Sequence, residues 1–409
     1  MRSPSIDKVV RVESQRTYHK KICVPTSKSR ANRMLFLAAI TPGEITLTNV
    51  PGSSDVMDMI QSLEKVGLQI TMNEDTVIVK NSFPDCENLN TDNPVRVECG
   101  YGGTTTRFLA GLLALGSKTY HLEPEGHMRS RPMQEMIKPL EQLGVHVEMK
   151  SQDAWMKITG PITKNLEEID VDTSRSTQFA SAIAMTMSLW GGRVNPVDLK
   201  ASEDYFKMTI DCIEQVKISN WKIPIDFSSL SYPLALAAIF GEVEILNYTG
   251  RDYLQPDSIF IDILQKMGAK VIETESSLKV IKAQSLSAWS GNCSGFPDLV
   301  PTLCFINSFS KNPGTLTHLE VLKHKECDRL EEMKKILTLF ERPKNVSKDS
   351  ISTEYTEAMA TFKHYEAPDD HRMIMVAALF MKALAGGEIS NWRHIKKSYP
   401  YFFEDLANE

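Results

Sequence analysis

Nothing in this chain pairs its cysteines. Cys23, Cys86, Cys99, Cys212, Cys293, Cys304 and Cys327 are scattered through 409 residues, and no CxxC motif occurs. The odd count and wide spacing exclude a disulfide framework and a thiolate zinc site, and predict reduced thiols in a cytoplasmic protein. Long hydrophobic runs are missing too. None approaches the roughly 18 residues of a membrane-spanning helix, and the polar, basic stretch from Met1 to Lys20 lacks the apolar core of a secretory signal. Nor is there a block of like charges. With a net charge of −6, a broad basic nucleic-acid surface is excluded, and only local cationic pockets are expected.

What is present is a repeat. Leu37-Ala38-Ala39-Ile40 leads through Gly43 into the alternating Glu44–Val50, then to a second helix ending Leu63-Glu64-Lys65-Val66-Gly67-Leu68. The same succession runs from Leu236-Ala237-Ala238-Ile239 to Leu264-Gln265-Lys266-Met267-Gly268-Ala269, and from Leu112-Leu113-Ala114 to Leu140-Glu141-Gln142-Leu143-Gly144-Val145. Weaker copies begin at Gln178, Pro301 and His371. Each copy reads as a buried helix, a period-2 strand, an amphipathic helix closed by glycine, and another strand. At this length one core is not enough, so six copies predict two pseudo-symmetric α/β domains of three units each.

The mouths of the buried helices carry polar residues: Lys28, Thr104, Thr177, Asp226, Asp298 and His371. Helix N-termini favour anions, so six of them in one cleft would suit a polyanionic substrate. The stretch from Pro25 to Arg33, ahead of the apolar Met34–Ile40, adds a mobile charge at Lys28 and a planar fork at Arg33. The plain alternative there is an N-cap serine with a solvated lysine. Lys325, Glu326 and Arg329 fall near another helix start, with Glu326 and Arg329 at i, i+3 on one face. A surface ion pair, worth little, is the plain reading of those two.

Taken in chain order, these pieces join a series. It comprises Ser27-Lys28-Ser29 with Arg33, Gly103-Thr104 with Arg107, Arg131-Pro132, Ser176-Thr177-Gln178-Phe179 and Ser202 with Tyr205. It continues with Pro297-Asp298, Lys325-Glu326-Cys327-Asp328-Arg329-Leu330, Asp370-His371-Arg372-Met373 and Lys397-Ser398-Tyr399-Pro400. The chain thereby resembles the 5-enolpyruvylshikimate-3-phosphate synthase family, enolpyruvyl transferases of the shikimate pathway, over nearly its whole length. The resemblance implies two domains resembling inverse α/β barrels, with helices buried, sheets outside and a cleft between them. Residues 22–225 would be inserted within a second domain made of 1–21 and 226–409.

The resemblance also implies a reaction. The 5-hydroxyl of shikimate 3-phosphate attacks C2 of phosphoenolpyruvate while C3 takes a proton, and the tetrahedral ketal then loses phosphate. Such chemistry needs cations for two phosphates and a carboxylate, one acid and one base, but no metal or cofactor. By resemblance Glu326 is the acid and Asp298 the base, with Lys28 and His371 in the same catalytic set. Shikimate 3-phosphate falls to Lys28, Ser29, Arg33, Ser176, Thr177, Gln178, Ser202, Tyr205, Asp298 and Lys325. Phosphoenolpyruvate falls to Lys28, Gly103, Thr104, Gln178, Arg329, Arg372 and Lys397. Tyr205 either packs over the substrate ring or fills a domain edge. The expected partners are these two small molecules, with no nucleic acid and no membrane, and the expected state is a monomer whose cleft closes on ligand.

Four positions depart from the family pattern. His127 stands in place of an arginine, Val321 and Tyr101 in place of asparagines, and Thr26 in place of a glycine. Histidine is only partly charged near neutral pH, so the site for the phosphoenolpyruvate phosphate is thinned. Arg129 or Arg131 is available to compensate. Lys217 to Ile225 is also too short for the pair of strands the family fits there, so one repeat of the inserted domain reads as truncated. The related transferases acting on UDP-N-acetylglucosamine carry a cysteine before their Arg-Pro, and Glu123–Ser130 has none. A transferase with another cyclic acceptor and a non-catalytic ligand-binding homologue are the alternatives; the retained acid–base pair speaks against the latter.

Overall fold

The computed structural model describes residues 9–87, 94–199, 203–217, 221–357 and 361–407. They divide into two compact units, one of Thr26–Pro224, the other of the chain up to Pro25 together with Ile225 onward. The crossings lie at Pro25–Thr26 and Pro224–Ile225 rather than at 21–22 and 225–226. The first falls later because Tyr18–Ile22 is a sheet strand of the second unit, parallel to Gly241–Ile245. Beyond it, the Val24 backbone exchanges two hydrogen bonds with the Asn247 side chain.

Thr26–Pro224 alternates two kinds of helix: α1 (Lys28–Ile40), α2 (Ser54–Lys65), α3 (Gly103–Leu113), α4 (Gln134–Gln142), α5 (Gln178–Met187) and α6 (Glu203–Lys217). In α3 and α5 apolar and small side chains run round most of the cylinder, and α1 buries Arg30, Asn32 and Arg33 along with its apolar Met34–Ile40, so almost every position is buried and these helices form the interior. In α2, by contrast, Val56, Met59, Ile60 and Leu63 are buried at i, i+3, i+4 and i+7, the spacing of a one-sided stripe. It closes at Gly67, φ 110°, whose N–H donates to the Glu64 carbonyl. A Cβ there would stand 2.6 Å from the Cys86 carbonyl oxygen, so only glycine fits.

A short strand follows each inner helix, and an antiparallel hairpin follows the outer helix. Ile45–Leu47 pairs with the hairpin Ile70–Asn73/Thr76–Val79, and Thr119–Glu123 with His146–Met149/Met156–Thr159. The third copy lacks the hairpin among the described residues, leaving Glu168–Asp172 parallel to Arg193–Val197. The returning chain instead bridges Thr48 at Lys222, and residues 218–220 of the short span lie outside the described residues.

The second unit repeats the scheme with α7 (Phe227–Phe240), α8 (Phe260–Met267), α9 (Val300–Asn307), α10 (Arg329–Leu339), α11 (His371–Ala383) and α12 (Phe402–Leu406). Helix α11 is buried at every one of its 13 positions. Phe380 on it stacks on Phe340 at 5.3 Å and meets Phe305 edge-on at 5.0 Å; truncating such a ring costs about 3–5 kcal/mol. Hairpins Lys270–Glu273/Leu278–Ile281 and Lys344–Val346/Ser350–Thr353 follow α8 and α10. Among the described residues the third copy again has none. Its strand Gly387–Ser390 is flanked by Val9–Val12 and Lys363–Glu366, so among the described residues both units lack a hairpin in their third copy. The glycine closure is not universal either: beyond α10, Glu341 takes the left-handed position at φ 56° and pairs with Lys363 at 2.8 Å. Among the described residues no helix is long and apolar enough to cross a membrane.

Candidate active site

Each unit carries a polar cluster at the N-termini of its inner helices. In Thr26–Pro224, Ser27 caps α1 by accepting the Arg30 N–H at 3.4 Å. Lys28, the first helical residue, reaches Asp55 on the opening turn of α2 at 2.8 Å. Helix α3 begins without a capping side chain at Gly102, so its first N–H groups have no side-chain partner at the cap. Thr104 on it accepts from the Gln178 amide at 2.8 Å, and Gln178 in turn accepts from Arg107 at 2.7 Å. Arg107 also donates to the Pro132 carbonyl at 3.0 Å and to Ser176 at 3.5 Å, and lies over the Phe179 ring at 4.7 Å. Thr104, Arg107, Ser176 and Gln178 therefore form one connected set, with Thr177 as the cap of α5.

The cluster is crowded with positive charge. Burial pushes the Arg107 guanidinium well below its ordinary pKa, and Arg131 and Arg175 push the same way against Glu135. A Cβ on Gly103 would run into the Arg131 guanidinium and stand 3.2 Å from that of Arg107. Arg131 thus lies at the mouth of α3, whereas Arg129 is turned to Glu123 at 3.2 Å and to the Pro124 carbonyl at 2.8 Å. Of the two arginines near His127, Arg131 is the one beside the start of α3. His127 is half-buried in the turn Gly126–Ser130, against which the Tyr101 ring packs, and the Thr26 hydroxyl is tied to the Asn49 carbonyl at 2.6 Å.

Arg33 is engaged within its own unit. Its fork is 1 % exposed and donates to the Ser29 and Tyr205 carbonyls and to Thr209, over the Phe108 ring. The oxygens it serves belong to this chain, and its pKa falls to about 10 mainly through burial. It joins α1 to α6. Ser29 and Tyr205 are half-buried, and Ser202 lies outside the described residues.

In the other unit the cluster is built from acids and bases together. Asp298, in the turn Pro297–Leu299 before α9, accepts from Lys325 at 3.2 Å, Arg329 at 2.8 Å and Arg372 at 2.9 Å. Asp370 caps α11 through the Arg372 N–H and binds Arg329 at 2.7 Å and 3.3 Å. One oxygen of Glu326 lies 3.1 Å from His371 Nδ1 and 3.5 Å from Lys397 Nζ, which also donates to the Asp369 carbonyl. Helix α10 begins at Arg329, so Glu326 precedes the helix and does not share a face with it. Glu326 and Arg329 take different partners, and the expected i, i+3 pair is replaced by contacts from α11. Val321 is half-buried in the neighbouring turn Glu320–His324.

Burial opposes ionisation of these carboxyls, but the cations prevail. Arg372, Lys325 and Arg329 hold the Asp298 carboxyl well below the usual range, and His371 and Lys397 do the same for Glu326. Asp370 is lowered chiefly by Arg329 against its burial, and burial lowers Lys325. Glu326, Asp370 and His371 bring ligand atoms within 4.8 Å of one another, close enough for a metal ion. Arg329, His371 and Lys397 already engage those oxygens.

A family model described as EPSP synthase (3-phosphoshikimate 1-carboxyvinyltransferase) matches residues 12–220 and 197–406. The chain belongs to the EPSP synthase family. Among its relatives, the 3-phosphoshikimate 1-carboxyvinyltransferase of Nitrosopumilus maritimus is 25 % identical, covering 97 % of each chain. That of Escherichia coli O1:K1 is 29 % identical over 100 % of this chain and 99 % of its own. The EPSP synthase structure from Acinetobacter baumannii shares the fold, with a TM-score of 0.76 at 19 % identity, over 97 % of this chain and 96 % of that one. The enolpyruvyl transferase NikO from Streptomyces tendae shares it at a TM-score of 0.72 and 11 % identity, with coverage of 97 % and 96 %. Family membership accounts for the two units and their mixed α/β repeats.

Asp55, Asp370 and the organising role of Arg107 were missed from sequence. A signal for Asp370 was present: Asp226, Asp298 and Asp370 recur at equal intervals, each at the opening of an inner helix.

Proposed function

We propose that the chain transfers the enolpyruvyl group of phosphoenolpyruvate to the 5-hydroxyl of shikimate 3-phosphate and releases phosphate. The observation that carries this reading is Glu326, a half-buried carboxylate between His371 and Lys397, beside an arginine pair shared by Asp298 and Asp370. Arg329 and Arg372 offer forks to a substrate carboxylate. Lys28, Arg107, Arg131 and Gln178, with the bare mouth of α3, suit phosphate; Ser176, Thr177 and Ser29 suit the second phosphate and ring oxygens.

In the addition step a C–O bond forms at C2, the hydroxyl proton passes to Asp298, and the π pair takes a proton at C3 from Glu326. In the elimination step C3 returns that proton and the C2–O bond to phosphate breaks. Glu326 is held ionised by His371 and Lys397 against its burial. Arriving phosphate and carboxylate anions neutralise the cations beside it and raise its pKa, so it can take up the proton that it gives to C3. Substrate binding thereby arms the acid.

The seven unpaired cysteines fit a reducing, cytoplasmic setting, and we read the protein as a monomer, which light scattering tests. Phosphate release from phosphoenolpyruvate, with and without shikimate 3-phosphate, tests the reaction. Release that depends on shikimate 3-phosphate is the expected result, and none with both substrates present overturns it.

A further inference from the structure

Beside the Asp298–Arg372 pair lies a carboxyl to which the reaction above gives no part. Asp257, in the turn Pro256–Ile259 ahead of α8, is 1 % exposed. One of its oxygens contacts the Ser228 hydroxyl on the first turn of α7; the other is buried without a hydrogen-bond partner. An ionised carboxylate with a bare, buried oxygen is costly unless a cation answers it. The charged groups facing it come from three elements: Asp226 capping α7, Asp298 from the turn before α9, and Arg372 from α11. That is two carboxylates against one guanidinium, and Arg372 is already bound to Asp298 at 2.9 Å.

We propose that Asp257 is a positioning residue that works as a neutral acid. Carrying its proton, it leaves Arg372 to Asp298 and to an incoming substrate carboxylate; ionised, it competes for Arg372 and loosens that grip. The inference rests on the carboxylate-binding role given to Arg372 above. Its working range is set by burial first and Asp298 second, which lift the Asp257 pKa to about 7 while Arg372 and Ser228 oppose them. A protein near neutrality therefore holds both forms, and the reaction would report the change.

The test compares wild type with Asp257→Asn, which keeps the shape and stays neutral at every pH. In wild type the KM for phosphoenolpyruvate rises above neutrality, approaching about tenfold per pH unit if only the protonated form binds, with kcat little changed. In Asp257→Asn that rise disappears while acid-side KM is kept. An unchanged alkaline rise in the variant overturns the proposal, because a merely structural role would not move the pH profile. A second measurement needs neither turnover nor a folded variant. Infrared titration of the ligand-free wild-type protein should show a protonated-carboxyl C=O stretch fading with a midpoint near 7. Its absence overturns the proposal, whatever substrate the enzyme uses. Its presence without any phosphoenolpyruvate turnover would instead leave Asp257 a neutral acid and refute only the reaction.

Discussion

The inner helices of the two units begin differently. Between Thr26 and Pro224 they open on Ser27, Gly102 and Thr177, neutral residues of which only Ser27 makes a side-chain cap bond. In the other unit Asp226 and Asp370 cap α7 and α11, and Asp298 sits in the turn that opens α9. A neutral cap leaves the positive end of the helix available to an incoming anion. A carboxylate cap fills that end with the protein's own anion, which then recruits cations. Hence the first cluster gathers Lys28, Arg107, Arg131 and Arg175 around few acids, whereas the second interleaves acids with Lys325, Arg329, Arg372 and Lys397. On the function proposed above, the same repeat, capped two ways, serves as a receptor for anions and as an acid–base array.

The comparison breaks most visibly at the acid. Glu326→Gln keeps shape but cannot carry the proton, so kcat should fall by roughly 10² to 10⁴ while calorimetry still detects shikimate 3-phosphate binding. Near-normal turnover would mean the acid lies elsewhere.

Acid should separate the units next. Asp298, Glu326 and Asp370 have lowered pKa values in the folded protein. The stability they confer is present above the ordinary carboxylate range, about pH 4, and is lost as pH falls through their lowered values. Peptide-resolved hydrogen exchange at falling pH should therefore show residues 225–407 losing protection before 26–217. Simultaneous loss would show that the two clusters respond to acid alike.

The smallest effect lies at the receptor. Gly103→Ala places a Cβ against Arg131 and Arg107. Arg131 must shift to make room, so the KM for phosphoenolpyruvate should rise about tenfold, alongside a stability loss of at most about 1–3 kcal/mol from overpacking. An unaltered KM would show that Arg131 swings clear at no cost.

Much of the architecture was legible because the repeat is written in local periodicity. A helix apolar all round, such as α11, has nowhere to go but inside, and Gly67, Gly144 and Gly268 mark where one-sided helices stop. The Lys28 motif was legible for the same reason, since a cap and its first turn are neighbours in sequence. The internal partners of Arg33 were not legible, because Tyr205 and Thr209 come from a distant helix. The partners of Glu326 were also distant: at i, i+3 it faces Arg329 on paper, but the chain turns before α10 begins and His371 takes its place.

By itself the sequence determined the two three-fold α/β units, the polar mouths of their inner helices and the family to which the chain belongs. These depend on interactions within a few residues or on patterns repeated along the chain. Only the tertiary structure decided which charges meet. It turned Arg33 inward, set Arg131 rather than Arg129 beside Gly103, gave Asp298 three cations and left Asp257 with a bare oxygen. Coulomb energies and desolvation depend on distance and burial, and neither quantity is local in sequence.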